Sequence, residues 1–210
     1  MAKGRPRTFD RDEALDRATM EFWRHGYEAT SIAGLTGAMG INPPSLYAAF
    51  GDKRRLFTEV VERYQRSYGA FAARALDEEP TARAAIERVL REAAAEYTDP
   101  AHPWGCLIIC AAVNCGSPDV EAEMRGRREA SKAVIRDRIA ADLDAGHLPA
   151  GVDPDALATF YAATIQGMST QARDGAPRER LEAVADLAMR AWPSSAARPQ
   201  PVDAGPSRAD

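Results

Sequence analysis

Residues 30–53 read TSIAGLTGAMGINPPSLYAAFGDK, and this stretch decides the fold. Thr30 or Ser31 supplies a hydroxyl N-cap for a helix that ends at Met39. Ile32, Leu35 and Met39 fall at i, i+3 and i+7, one face of that helix. Gly40 follows, and glycine takes the left-handed backbone that stops a helix. Asn42 caps a second helix, with Pro43 in the first position, where a missing N–H costs nothing. Leu46 and Phe50, four apart, point into a core and leave Pro44, Ser45 and Tyr47 outside. This is the pattern of a helix-turn-helix, whose second helix enters the major groove of DNA. An ordinary helical hairpin in an all-α domain would satisfy it as well, so the flanks must decide.

Upstream runs Phe22-Trp23-Arg24-His25-Gly26-Tyr27 and then Glu28-Ala29-Thr30-Ser31; downstream runs Ser45-Leu46-Tyr47-Ala48-Ala49-Phe50-Gly51-Asp52-Lys53, then Leu56-Phe57. Over residues 8–60 this succession closely resembles the DNA-binding domain of the TetR family of bacterial transcriptional regulators. The resemblance implies an all-α chain of about nine helices. It divides the chain into a helix-turn-helix domain with a basic arm (1–52) and an effector-binding and dimerisation domain (53–192); the Pro-, Ser-, Ala- and Gly-rich residues 193–210 read by composition as a disordered tail. It also implies a dimeric regulator, most simply a repressor, released from a double-stranded operator by a small-molecule or thiol-reactive effector. No cofactor, metal or membrane is implied.

Site residues follow by motif position. Tyr47 matches the family tyrosine whose hydroxyl reaches a phosphate, and Lys53 the lysine that also grips one. Thr30 or Ser31 matches the hydroxyl at a helix N-terminus that favours phosphate. Such contacts position the protein without carrying sequence information. Base reading then falls to Asn42, Pro43, Pro44 and Ser45. The two prolines depart from the family's usual small or basic residues. Neither donates a side-chain hydrogen bond, so part of the specificity is expected from DNA shape. Arg5 and Arg7, in the leading MAKGRPRT, suit a minor-groove arm or, equally, a solubilising tail.

The net charge of −4 looks wrong for a DNA binder until it is divided. Residues 1–68 carry 11 Lys+Arg against 9 Asp+Glu, and the remainder carries 16 against 22. The basic residues gather at Lys3, Arg5, Arg7 and Arg11 and again at Lys53, Arg54 and Arg55, on either side of the helix-turn-helix. No apolar run is long enough to span a bilayer, and no secretory pattern opens the chain, so a cytoplasmic protein is expected.

A fourth helix is expected from Asp52 to Leu76, linking the DNA-binding domain to the body, and a fifth is capped by Thr81. Residues 99–118, DPAHPWGCLIICAAVNCGSP, hold all three cysteines and predict an apolar sixth helix over about Trp104–Asn114, with Cys115 at its C-terminal end. Three readings compete there. Cys106, Cys110 and Cys115 are small core hydrophobes; or Cys106 is a sensor thiol activated near a helix N-terminus, within a Gly105-Cys106-Leu107 motif that resembles one TetR subgroup; or His102 and Cys106 begin a thiolate metal site. From amphipathic position the effector cavity is expected to be lined by Tyr64, Phe71, Tyr97, Trp104, Cys106, Cys110, Phe160 and Met168. A long helix to Ala145 follows, with Val134 among its buried side, and two more end the body. Leu157, Tyr161, Thr164, Ile165 on one and Leu181, Val184, Leu187, Ala188 on the other match the family's four-helix dimer interface. The rival class is a small all-α enzyme with Cys106 as nucleophile. It needs a base, and His102 is the one histidine near enough in sequence to serve, with no third group to orient it.

Overall fold

The computed structural model describes residues 9–113 and 115–193, all of whose regular elements are α-helical. There are ten helices among the described residues: α1 (Arg11–Ala29), α2 (Ile32–Met39), α3 (Pro43–Phe50), α4 (Lys53–Arg66), α5 (Ala70–Glu78), α6 (Ala82–Glu96), α7 (Leu107–Cys110), α8 (Pro118–Asp144), α9 (Pro154–Arg173) and α10 (Arg178–Arg190). None is long and apolar enough to cross a membrane. The expectations for Arg5, Arg7 and the tail from residue 194 onward lie outside the described residues.

Helix starts follow the local chemistry of the sequence. The Asp10 carboxylate accepts from the Asp12 and Glu13 amides, Ser31 Oγ from Gly34, Asn42 Oδ1 from Ser45, Asp52 from Arg55, and Thr81 from Ala84. Each satisfies a first-turn N–H that no helical carbonyl can reach. α2 stops at Gly40, which takes the left-handed backbone at φ 67°, ψ 30°. In the N-terminal unit, α1 packs on α2 and α4, burying Leu15, Phe22, Leu35, Leu46, Phe50, Leu56 and Phe57. Each such side chain contributes about 1.5–3 kcal/mol by leaving water. In the body, α6 is the central helix, packed against α5, α8, α9 and α10, and its Ala85, Ile86, Val89, Leu90, Ala93 and Ala94 are buried.

Two expected helices come out differently. The one expected over 52–76 is broken into α4 and α5. Ser67 leaves helical geometry at φ −117°, ψ −98°, and the Gly69 amide donates back to the Tyr64 carbonyl at 2.9 Å. A β-carbon on Gly69 would stand 3.0 Å from Tyr64 Cε1, so the chain passes closely over that ring. Tyr64 and Phe71 are seven apart, so the apolar stripe continues through the break and hides it. The helix expected over Trp104–Asn114 shrinks to the single turn α7. Cys106 is its N-cap in extended geometry, at φ −109°, ψ 127°. The Ala111 carbonyl then accepts from the Tyr27 amide at 2.8 Å, where a longer helix would use it internally. Val134 of α8 is 53% exposed, because the helix turns Ile135 and Ile139 to the core instead.

Candidate nucleic-acid interface and effector cavity

α3 stands at the surface on its N-terminal turn. Asn42, Pro43, Pro44 and Tyr47 are exposed, and Ser45 is half-buried, while Leu46 and Phe50 anchor the helix beneath. Asn42 Oδ1 is committed to the Ser45 amide at 2.8 Å. The residue itself remains exposed. Tyr47 is half exposed with its ring outward. Ser31, at the start of α2, is exposed, and its Oγ accepts from Gly34 at 3.0 Å, which leaves its O–H free to donate. Lys53 opens α4. Its Nζ lies 4.4 Å from the Tyr27 ring centroid and 3.4 Å from the Glu28 carbonyl. Burial lowers its pKa, and the neighbouring Glu28 works against that shift. The Tyr27 ring and the Glu28 carbonyl thus hold the ammonium at the C-terminal end of α1, a pairing that the sequence motif did not reveal.

Three basic or hydroxyl groups assigned to this face are turned away from it. Thr30 is 3% exposed and donates its hydroxyl to the Gly26 carbonyl at 2.6 Å, so of the two candidate hydroxyls only Ser31 faces solvent. Arg11 bonds Glu59 at 2.6 Å and lies 4.4 Å from the Phe50 ring, clamping α1 to α4. Arg54 pairs with Glu123 at 2.5 Å and joins α4 to α8. Arg55 remains exposed beside Lys53.

A cavity of about 300 Å³ lies within the body between α4, α5, α6, α7, α8 and α9. Tyr64, Phe71, Tyr97 and Cys106 line it, as expected. The other four candidates do not. Trp104 is 38% exposed in the loop before α7, and Phe160 is 43% exposed on the outer face of α9. Met168 is packed in the core, and Cys110 Sγ turns to Ser169 Oγ at 3.5 Å. Burial pushes the Cys106 thiol above its ordinary range, against weaker lowering by Tyr64 and the Ile109 and Ile108 amides. That is opposite to the activation expected from a helix N-terminus, because a one-turn helix supplies little dipole while the core supplies full desolvation. Tyr64 and Tyr97 are likewise raised well above the usual phenol value by burial. Ile108, Ile109, Ile135 and Arg128 complete much of the wall; the irregular path around α7 gave no periodic signal for the first two.

The segment from Gly105 to Gly116 touches both the cavity and α1. Gly105 O accepts from Trp23 Nε1 at 3.2 Å, Ala111 O from the Tyr27 amide, and the Gly116 amide donates to Glu28 at 3.2 Å. His102 stacks on Trp23 with centroids 4.4 Å apart and lies 3.2 Å from Glu96. Its imidazole is therefore held between elements, against α1 and α6. Among the described residues, no group of three His, Cys, Asp or Glu side chains converges where a metal would sit.

The candidate dimer residues divide. Tyr161, Leu181 and Ala188 are buried within the chain, with the Tyr161 hydroxyl donating to Ala188 O at 3.1 Å. Ile165 lines the cavity. Leu157, Thr164 and Val184 are half-buried, and Leu187 is 61% exposed. The outward surface is instead made by Thr159, Phe160, Ala163 and Gly167 of α9 beside Leu187 of α10. The periodicity found two apolar bands but could not say which side of each faces the chain's own core.

Residues 14–60 match the model of the bacterial regulatory proteins of the tetR family, and residues 80–188 match the tetracyclin repressor-like C-terminal domain. The chain is 36% identical over 195 residues to the HTH-type transcriptional repressor ComR of Escherichia coli, covering 91% of this chain and 93% of that protein. It is 33% identical over 189 residues to the repressor BdcR of the same organism, covering 90% and 91%. Among solved structures, it resembles the TetR family regulator CifR, a cysteine mutant complexed with 26-bp operator DNA, at 46% identity and a TM-score of 0.85, over 90% of this chain and all of that one. With an exposed recognition helix in front and a family match along most of its length, the chain belongs to the TetR family of DNA-binding transcriptional regulators.

Proposed function

We propose that this chain acts as a homodimeric repressor that leaves its operator when a small molecule occupies the cavity of the body. The observation that carries the reading is the segment Gly105–Gly116, whose cavity side is Cys106, Ile108 and Ile109 and whose other side is bonded to Trp23, Tyr27 and Glu28 of α1. A ligand that shifts α7 shifts the end of α1, and α2 and α3 follow it. Release is then a population shift: the ligand binds better to a state whose recognition helices are wrongly spaced for two half-sites. Ser31, Tyr47 and Lys53 hold phosphates, and Asn42, Pro43, Pro44 and Ser45 meet the bases. Phe160 and Leu187 lie at the centre of the subunit contact. The chain has no enzymatic role in this reading; Cys106 is buried and His102 is stacked on Trp23.

The raised pKa of Cys106 favours a ligand that fills space over an oxidant that needs a thiolate. The test is fluorescence anisotropy on labelled DNA from upstream of the protein's own gene, at fixed salt, with thiols reduced and then mildly oxidised. Tight binding in both redox states, with release on adding a cavity ligand, is the expected result. Release on oxidation that disappears in Cys106→Ser would replace the ligand reading with a thiol switch. Absence of operator binding under every condition would sink the repressor reading.

A further inference from the structure

The cations of α8 are paired with acids of their own helix, with one exception among the described residues. Arg125 lies with Glu121, Arg127 with Glu123, Lys132 with Glu129, Arg136 with Asp137 and Arg138 with Asp142. The residues three and four away from Arg128 are Met124, Arg125, Ser131 and Lys132, so its helix offers it no acid. It donates from Nη1 to the Ile108 carbonyl at 3.1 Å, and that acceptor is neutral. Among the described residues its Nε and Nη2 have no partner, and neither is a buried orphan, so both stay reachable. Arg128 is thus a cation without a counter-ion, and it stands at the cavity wall.

The rest of the wall does not oppose that charge. It contains no Asp or Glu. Cys106, Tyr64 and Tyr97 are the lining groups able to become negative, and burial raises all three so that they keep their protons. Lys132 adds a second cation, shared with Glu129. Phe71, Leu76, Val89, Ile135 and Ile165 supply hydrocarbon. Arg128 and Ile135 are seven residues apart on α8, so charge gives way to hydrocarbon over about 10 Å. The 300 Å³ of the cavity is twice the roughly 150 Å³ that takes one benzene, so about twelve non-hydrogen atoms fit. A guanidinium presents paired donors that match the two oxygens of a carboxylate.

We propose that the cavity takes a hydrocarbon monocarboxylate, its carboxylate held by the Arg128 guanidinium and its body lying against Phe71, Leu76, Val89, Ile135 and Ile165. This rests on the reading of the cavity as the effector site, and it names the effector's chemical class. Arg128 ties α8 to α7 through Ile108. A carboxylate that draws the guanidinium away loosens that tie, and α7 is the element whose shift the release requires.

The matched probes are 4-phenylbutyrate and 4-phenylbutyramide, which share size and shape and differ in charge. Both are titrated calorimetrically into the full chain at about pH 7, where a carboxyl group is ionised. The acid is expected to bind at least about tenfold tighter than the amide, the worth of a charge-assisted hydrogen bond. Arg128→Met keeps the length of the side chain and removes the charge. It is expected to bring the acid down to the affinity of the amide and to leave the amide unchanged, with a thermal melt confirming that the variant is folded. Should it melt early, Arg128→Lys keeps a charge and breaks the paired geometry, so the acid is expected to weaken about threefold while the amide holds. Equal affinity of acid and amide for the unaltered protein, a preference for the acid that survives in folded Arg128→Met, an acid unaffected by Arg128→Lys, or no binding of either probe would each overturn the proposal. Operator anisotropy on the same samples keeps the two readings apart. Phenylbutyrate bound without any change in DNA binding leaves the carboxylate site standing and removes its effector role. Loss of DNA binding from the outset removes the repressor reading while calorimetry still decides the site.

Discussion

Gly26 stands at φ 76°, ψ 174°, a backbone region open to glycine and nearly closed to other residues. It ends the regular part of α1 and lets the Tyr27 amide reach the Ala111 carbonyl. A β-carbon there would lie 3.2 Å from that same carbonyl oxygen. Gly26→Ala is therefore expected to cost about 1–3 kcal/mol, read as a lowered urea midpoint with unchanged slope. An unchanged midpoint would mean that the contact between α1 and the α7 loop gives way freely, which would also weaken the proposed route from cavity to DNA. Lys53 makes a different kind of prediction. Its ammonium sits over Tyr27 at the rim of the recognition face. Lys53→Gln is expected to weaken binding to every DNA sequence alike and to lower the slope of log affinity against log salt by about 1. A loss confined to one operator sequence would instead assign Lys53 to base reading.

At the scale of the element, α3 is held from both ends by few atoms. Asn42 caps its start, Pro43 fits the first position, and Gly51 closes its end by donating to the Tyr47 carbonyl at 3.0 Å. Asn42→Ala is expected to destabilise the fold by about 1 kcal/mol, and Asn42→Ser to restore most of it, because serine caps as well as asparagine does. Operator affinity measured on both variants separates the two duties of this residue. If Asn42 also reads a base, the serine variant keeps its melting temperature and loses sequence preference. The caps of α1, α2, α3, α4 and α6 were legible because a cap and its target amide are two or three residues apart. The break between α4 and α5 was not, since it turns on the Tyr64 ring lying beneath Gly69.

For the whole molecule, the arrangement of α9 and α10 is the feature with the largest consequence. These helices close the monomer through Tyr161, Leu181 and Ala188 and present Phe160 and Leu187 outward. Leu187→Glu is expected to convert the protein from dimer to monomer by sedimentation equilibrium, with its thermal stability at low concentration little changed. Operator affinity should fall about a hundredfold, since the second half-site is no longer tethered to the first. A variant that stays dimeric would move the subunit contact to another face.

The sequence alone determined the all-α class, the helix-turn-helix, the family and the starts of α2, α3, α4 and α6. Each of these rests on relations within a few residues: a cap, a proline in a first turn, apolar positions at helical spacing. The tertiary structure decided what depends on distant segments meeting. It turned Thr30, Arg11 and Arg54 inward to Gly26, Glu59 and Glu123. It reduced the cysteine helix to one turn by bonding Ala111 to Tyr27, and kept Tyr64, Phe71, Tyr97 and Cys106 on the cavity while sending Trp104 and Phe160 to the surface. A helical repeat shows that a side is apolar. Which apolar side meets the core, a cavity or a second chain depends on what packs against it, and that information is spread over residues far apart in the chain.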